Sequence, residues 1–291
     1  MLFRRNGRMI ELKQVTKQYR QATVLKNITL SMDEPGIYCL LGRNGAGKTT
    51  LLKSIAGYQN ITSGAIRVNG KTITTSTLDT DVSYIENFAK HFNLPVRKLL
   101  RIASEVNPEY DVDFALEMME RFELDGKKKF HHLSLGMKTM VSTIICLASN
   151  KEVVLLDEPV LGLDAMMRVE FYDMLTASFQ KHPRIVIVST HIIEEIAKTI
   201  QKLIIIDKGS VRFFDTLQSV ETKAFRISGL QKDVEAATQN LNVLGKDTVG
   251  GLETRYIFDN PPKQTASLDI QPLSLQDFFI QMVGHRGGIK R

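Results

Sequence analysis

The segment Gly42–Thr49 constrains the fold more than any other part of this chain. It reads Gly-Arg-Asn-Gly-Ala-Gly-Lys-Thr and fits G-x-x-x-x-G-K-[ST], a loop whose backbone N–H groups surround phosphate oxygens. Glycines let such a loop curl without Cβ collisions, and the following helix directs its positive end at the same phosphates. An apolar run at 36–41 and a helical pattern at 48–56 flank the loop. The sequence therefore predicts a strand–loop–helix unit in an α/β fold, with Lys48 on the β- and γ-phosphates and Thr49 on Mg²⁺.

The bulk composition is that of a globular protein. Of 291 residues, 43% are hydrophobic and 24% charged, and no apolar run approaches the roughly 18–20 residues that span a bilayer. No signal peptide is visible, and Cys39 and Cys146 lie in apolar segments, which predicts buried free thiols in a reducing compartment. The formal charge is +6, but no basic stripe is interleaved with aromatic residues, so no nucleic-acid partner is expected.

The character of the pattern changes along the chain. Short alternating runs over 9–35 predict antiparallel strands, and Asn69-Gly70 predicts a hairpin. Residues 88–150 are helical in pattern, most clearly at 112–122 and 138–147. Strands alternate with helices from Val153 onwards, as in a parallel sheet, with one of these helices predicted at 192–200. The pattern changes again near residue 216, after which it predicts strands at 224–227 and 256–258 and helices at 233–241 and 273–282. We predict a nucleotide-binding domain at 1–215, with a helical subdomain at about 88–150, and a small α/β accessory domain at 216–291.

Two carboxylates follow a buried strand. The apolar run 153–156 ends in Asp157 and Glu158, and packing alone explains such a pair poorly, because unpaired buried charge is costly. Asp157 is suited to hold Mg²⁺ through water, and Glu158 is suited to act either as the base for the attacking water or as the group that orients it. His191 follows the next strand, where it can reach the γ-phosphate.

Ser134 is placed to cap a helix whose N-terminus can face an anion. A serine before a helix is usually only a cap, so the evidence for a functional role is its spacing from Lys48 and Asp157. It stands 86 positions after Lys48 and 23 before Asp157.

Taken together, these segments and Gly162-Leu163-Asp164 resemble the nucleotide-binding subunit of an ABC transporter, over residues 9 to about 215. The resemblance implies a P-loop NTPase core with a mixed, mainly parallel sheet, an antiparallel β subdomain and a helical subdomain, followed here by the C-terminal appendage. It implies ATP and Mg²⁺ as ligands, and Glu158, His191 and Lys48 as catalytic residues.

The resemblance also implies individual contacts. Tyr19 would stack on adenine, although a half-buried strand tyrosine is an equally ordinary interpretation. Ser134 and Gly136 would bind the γ-phosphate held by a partner subunit, and Asp164 would lie at the subunit interface. The nucleotide contacts implied are Tyr19, Gly42, Arg43, Asn44, Gly45, Ala46, Gly47, Lys48, Thr49, Thr50, Ser134 and Gly136.

Two departures from the family pattern are visible. The signature reads Leu-Ser-Leu-Gly-Met at 133–137, where the family has Leu-Ser-Gly-Gly-Gln. In the family, the loop that joins the core to the helical part carries a glutamine, and this chain lacks it. Asn87, or Glu86 if the alignment slips by one, would then serve with Thr49 and Asp157 as a ligand of Mg²⁺.

The resemblance implies a subunit that powers a separate membrane permease, with export favoured by the signature and the final helix. It would pair with a second nucleotide-binding subunit, identical or homologous, and lie peripherally on the cytoplasmic face of the membrane. A soluble ABC ATPase outside transport, such as an assembly scaffold or a translation-related protein, is the alternative.

Overall fold

A computed structural model describes residues 9–76, 81–86, 92–262 and 267–284. Within these ranges the chain forms three β-sheets with helices packed around them. The elements are β1 (Ile10–Tyr19), β2 (Ala22–Met32), β3 (Gly36–Leu41), α1 (Lys48–Ile55), β4 (Ser63–Val68), β5 (Lys71–Thr72), β6 (Val82–Glu86), α2 (Val96–Val106), α3 (Val112–Arg121), α4 (Leu135–Leu147), β7 (Val153–Asp157), α5 (Ala165–Lys181), β8 (Ile185–Ser189), α6 (Ile193–Ile196), β9 (Lys202–Asp207), β10 (Ser210–Thr216), α7 (Leu217–Lys223), β11 (Ala224–Leu230), α8 (Gln231–Thr238), β12 (Val243–Val249), β13 (Leu252–Phe258), β14 (Leu268–Pro272) and α9 (Leu275–Gly284).

The central sheet has the order β10-β9-β3-β8-β7-β6. Its inner strands are parallel, and β10 runs antiparallel to β9 at the edge. Strands β3, β7 and β8 are buried throughout, as apolar parallel strands are when both faces are covered. The pairing register aligns Glu86 with Asp157, and Asp157 with Ser189. These side chains therefore meet at the carboxyl edge of the sheet, where the phosphate loop also begins.

The second sheet, β2-β1-β4-β5, is antiparallel, as the alternating pattern predicts. The β4–β5 hairpin turns at Asn69 and Gly70, which have φ of 49° and 80°, as an Asn-Gly turn requires. One hydrophobic core joins this sheet to α1 and to one face of the central sheet. The mixed α/β P-loop architecture expected from the sequence is confirmed.

Helices α2, α3 and α4 cover the opposite face, in the larger hydrophobic core. Helix α3 matches the periodic stretch predicted at 112–122. Helix α6 is shorter than the pattern at 192–200 predicts, because only one turn forms before the chain enters β9. No described helix is both long and apolar enough to cross a bilayer.

The last part of the described chain forms the sheet β12-β13-β11-β14 with α7, α8 and α9. The sequence predicts only β11, β13, α8 and α9 there, because β12 is almost wholly exposed and lacks apolar alternation. Phe213 of β10, Phe258 of β13 and Phe278 of α9 form a ring cluster with centroids 5.0–5.3 Å apart. This cluster fixes the C-terminal unit against the edge of the central sheet.

Candidate functional site

The phosphate loop connects β3 to α1 in a closely packed turn. Gly45 and Gly47 have φ of 79° and 108°, conformations that glycine adopts without strain. A Cβ on Gly42 would lie 2.5 Å from the carbonyl oxygen of Ile206, so the loop can lie this close to β9 only with glycine there. The buried Lys48 folds back, and its Nζ donates to the carbonyl oxygen of Gly42 at 2.8 Å.

The N-terminus of α1 suits an anion. Gly47 occupies the N-cap position and supplies no side-chain cap, and no acidic residue lies in the first turn. Helix N–H groups that no side chain caps, together with the helix dipole, bind phosphate oxygens. Thr49 is exposed at this end and Thr50 is half-buried, so both lie where the sequence predicts them. The loop therefore fits the phosphates of a nucleoside triphosphate.

A hydrogen-bonded group of side chains lies at the ends of β7 and β8. Ser189, fully buried, donates from Oγ to Oδ1 of Asp157. The same Oγ accepts the backbone N–H of Glu158 at 3.0 Å, and the Ser189 carbonyl accepts it at 3.1 Å. Ser189 thus fixes both acids to the neighbouring strand.

Glu158 connects this group to the phosphate loop. Its φ is 49°, a left-handed conformation that non-glycine residues rarely adopt and that turns the chain sharply after β7. Its Oε1 lies 3.7 Å from Lys48 Nζ, and its Oε2 lies 2.8 Å from His191 Nδ1. The structure therefore brings Lys48, Asp157, Glu158 and His191 together, as the sequence predicts.

The two cysteines are free and buried. Burial is the largest cause that raises the pKa of the Cys39 thiol, and the nearby Glu158 charge adds to it. Burial likewise raises the pKa of Cys146 to about 11, although Ser83 hydrogen-bonds its sulfur. Both thiols therefore stay protonated, and both side chains pack in the hydrophobic core.

Tyr19 is tied to the phosphate helix through Gln59. The Tyr19 hydroxyl donates to Oε1 of Gln59, and Gln59 Nε2 donates to the carbonyl oxygen of Thr50 at 2.7 Å. The Tyr19 ring is 45% exposed, and Lys17 Nζ lies 4.8 Å from its centroid. An exposed ring held beside α1 suits stacking on a nucleotide base. Gln59 belongs to no sequence motif, so its contact with Tyr19 is not recognisable from the sequence.

Ser134 and Gly136 lie at the N-terminus of α4. Ser134 is the N-cap, and its Oγ accepts the backbone N–H of Met137 at 3.2 Å. A Cβ on Gly136 would lie 3.0 Å from the carbonyl oxygen of Gly162, so this helix end packs against the 162–164 loop. Asp164 in turn caps α5 and accepts from Met167 N at 2.9 Å. The signature and Asp164 thus form one surface, whose role with a partner subunit stays a prediction.

Glu86 ends β6 beside Asp157. Lys53 Nζ of α1 lies 2.8 Å from its Oε2, and the Tyr84 hydroxyl donates to the same oxygen at 3.1 Å. Lys53 therefore fixes the Glu86 side chain to α1. Asn87, the other candidate for the missing glutamine, lies outside the described residues.

Comparisons with known proteins agree with this geometry. A family model described as ABC transporter matches residues 25–161. The chain is 26% identical over 287 residues to the ABC transporter ATP-binding protein YtrB of Bacillus subtilis (strain 168), an alignment that covers 95% of this chain and 98% of that protein. It is 31% identical over 207 residues to the bacitracin transport ATP-binding protein BcrA of Enterococcus faecalis, covering 69% of this chain and 67% of that protein. A solved structure of an ATP-binding subunit of an ABC transporter superposes with a TM-score of 0.65 at 25% identity, over 73% of this chain and 92% of that one.

Proposed function

Because this chain belongs to the ABC transporter family of ATPases, we propose that it hydrolyses ATP as the nucleotide-binding subunit that powers a separate membrane permease. The observation that carries the proposal is the contact of Glu158 with both Lys48 and His191 at the end of β7. These side chains converge where the phosphate loop begins, which is where the γ-phosphate of a bound ATP would lie.

In this proposal the side chains of the site divide phosphate binding, water activation and base recognition between them. Lys48 neutralises the β- and γ-phosphates, and its bond to the Gly42 carbonyl sets its position before nucleotide binds. Glu158 accepts the proton of the attacking water, while His191 holds the carboxylate in place and contacts the γ-phosphate. Tyr19 stacks on the base, and the backbone of 42–47 together with Thr49 and Thr50 surrounds the phosphates.

The oxygen donors of the site fit Mg²⁺, which prefers hydroxyl, carboxylate and water ligands. Thr49 and Asp157 would hold the ion, with Asn87 or Glu86 in the place of the family glutamine. Bound there, it would neutralise charge on the phosphates during transfer. Ser189 keeps the Asp157 carboxylate oriented for this task.

We propose that two nucleotide-binding subunits, identical or homologous, close around ATP. Ser134, Gly136 and the α4 N-terminus of one subunit would grip the γ-phosphate held by the other. Only ATP carries that phosphate, so ATP favours the closed pair and ADP the open one. This cycle would drive a permease in the membrane, with the chain on its cytoplasmic face. We propose that the transport direction is export, because the signature at 133–137 and the final helix resemble those of bacterial exporters.

The test is the substitution Glu158→Gln. We expect phosphate release to fall by at least about 100-fold, because the general base is lost while nucleotide contacts remain. Light scattering should then show a long-lived pair in ATP and Mg²⁺. Glu194→Gln is the matched control, since Glu194 is an exposed carboxylate on α6. Wild-type turnover by Glu158→Gln would refute its assignment as the base.

A further inference from the structure

The loop that follows α1 connects the two ends of the proposed nucleotide site. It comprises residues 57–62, between α1 and β4, and we call it the bridging loop. On one side it hydrogen-bonds to α1, whose N-terminus is proposed to bind the phosphates. On the other side it hydrogen-bonds to the last residues of β1, where Tyr19 is proposed to stack on the base. The bridging loop therefore links the two places where a nucleotide would be held.

Gln59 lies at the centre of the bridging loop and uses both ends of its amide. Its Nε2 donates to the carbonyl oxygen of Thr50 at 2.7 Å and to Ser54 Oγ at 3.0 Å, and both acceptors belong to α1. Its Oε1 accepts the hydroxyl of Tyr19. A carbonyl oxygen can only accept, so the amide nitrogen must face Thr50 and the amide oxygen must face Tyr19. One side chain thus joins the Tyr19 ring to the phosphate helix.

The end of β1 is fixed by other contacts of the same loop. Lys17 Nζ donates to the carbonyl oxygen of Asn60 at 2.6 Å, and Gln18 N donates to Thr62 Oγ1 at 2.9 Å. Lys17 Nζ also lies over the Tyr19 ring, 4.8 Å from its centroid, and covers one face of it. A base would therefore stack on the opposite face. These contacts place the backbone of β1, while the side-chain amide described above sets the direction of the ring.

The restraint on the ring matters because the ring is exposed. Tyr19 is 45% exposed, and an exposed side chain at a strand end samples several rotamers unless a contact holds one of them. A ligand that must order a side chain on binding loses affinity, and a side chain already held in the bound orientation avoids that loss. The partners of Gln59 are on α1 and at Tyr19, whereas the groups proposed to activate water follow β7 and β8. Gln59 should therefore affect how tightly a nucleotide binds and not how fast it is hydrolysed.

We infer that Gln59 is a positioning residue for nucleotide binding, an inference that rests on the proposed function. By holding the Tyr19 ring against α1, its amide presets the separation between the base and the triphosphate. The ligand that gains from this is a nucleoside triphosphate, which contacts the ring and the phosphate loop at once. A polyphosphate without a base contacts the loop alone and gains nothing from Gln59.

The experiment compares ATP with inorganic tripolyphosphate, each titrated into the full chain by calorimetry with EDTA present so that no hydrolysis occurs. We expect Gln59→Leu, which keeps the size of the side chain and removes the amide, to weaken ATP binding about three- to tenfold, as when one side chain must be ordered on binding. Tripolyphosphate should bind as it does to the wild type. In phosphate-release assays with Mg²⁺ the KM for ATP should rise by a similar factor, while kcat stays within about twofold of wild type.

Two further variants test the route of the effect. Tyr19→Phe keeps the ring and removes the hydroxyl, so it should weaken ATP binding as Gln59→Leu does. The double variant should lose no more affinity than either single one, because all three lack the same contact. Gln18→Leu is the matched control, since it makes the same change one residue before Tyr19, where the amide donates to the Arg20 carbonyl at 3.1 Å. Its affinity for ATP should be that of wild type.

Equal weakening of ATP and tripolyphosphate binding would overturn the inference, because Gln59 would then act through the phosphate loop. An additive loss in the double variant, or a loss in Gln18→Leu as large as in Gln59→Leu, would overturn it as well. If Gln59→Leu does not fold, Tyr19→Phe decides the matter, because it leaves α1 untouched, and wild-type affinity in that variant refutes the positioning role. If the wild type binds and hydrolyses ATP and both variants behave like it, only the positioning role is refuted. If ATP is neither bound nor hydrolysed, the proposed function itself is refuted.

Discussion

Removing the Ser189 hydroxyl should weaken the site and the fold together. The hydroxyl is fully buried, donates to the Asp157 carboxylate and accepts from the backbone of Glu158. A hydrogen bond to a charged group contributes about 1.5–3 kcal/mol to stability, and the Glu158 N–H keeps its second acceptor, the Ser189 carbonyl. We therefore expect Ser189→Ala to cost about 2 kcal/mol, which lowers the melting temperature of a domain this size by about 4–8 °C.

Scanning calorimetry and phosphate release together test this expectation. The matched control is Thr143→Val, which removes an equally buried hydroxyl for which the described part of the chain supplies no hydrogen-bond partner. That change should be neutral or stabilising, because it relieves an unsatisfied polar group. In an Asp157→Asn background the cost of Ser189→Ala should fall to about 1 kcal/mol, the value for a neutral hydrogen bond. Equal melting temperatures for Ser189→Ala and wild type, or an unchanged cost beside Asn, would refute the reasoning.

Two further predictions concern titratable groups. Asp111 caps α3, and although burial raises its pKa, the hydrogen bonds from Lys181 and the Phe114 backbone hold it below the ordinary 3.8. Its charge thus stabilises the fold above the unfolded pKa and loses that effect as the pH falls through the lower pKa of the folded state. Asp111→Asn should therefore lower the melting temperature at pH 7, and its difference from wild type should shrink as the pH is taken below 3.8. Cys146, with a pKa raised to about 11, and Cys39, raised further by burial, should resist a thiol-specific disulfide reagent at pH 8 until denaturant is added, and rapid labelling of the native chain would contradict this.

Much of the core fold follows from periodicity and motif order. The apolar strands β7 and β8 and the helix α3 are found where their patterns predict them, because burial on both faces or on one stripe leaves a clear signal. Strand β12 leaves no such signal, since it is an edge strand that is exposed along most of its length and lacks apolar alternation. The Gly250-Gly251 turn joins it to β13 in a hairpin, but a turn dipeptide alone does not fix which residues before it form a strand.

The candidate site divides in the same way. Lys48, Asp157 and Glu158 are recognisable because their chemistry requires those residue types at those spacings. Ser189 and Gln59 act through hydrogen bonds to residues distant in sequence, and serine and glutamine are too common for position alone to reveal them. The partnership of Glu86 with Lys53 likewise depends on the sheet order, which sets β6 beside β7 and close to α1.

The cluster of Phe213, Phe258 and Phe278 has a consequence for how the molecule comes apart. Phe278 is fully buried against rings contributed by two sheets, and α9 is the last helix described. Melting either sheet alone would leave apolar rings in water, at roughly 1.5–3 kcal/mol for each fully buried side chain exposed. Loss of order at one end of the molecule therefore spreads to the other, and we expect heat absorption in a single cooperative peak.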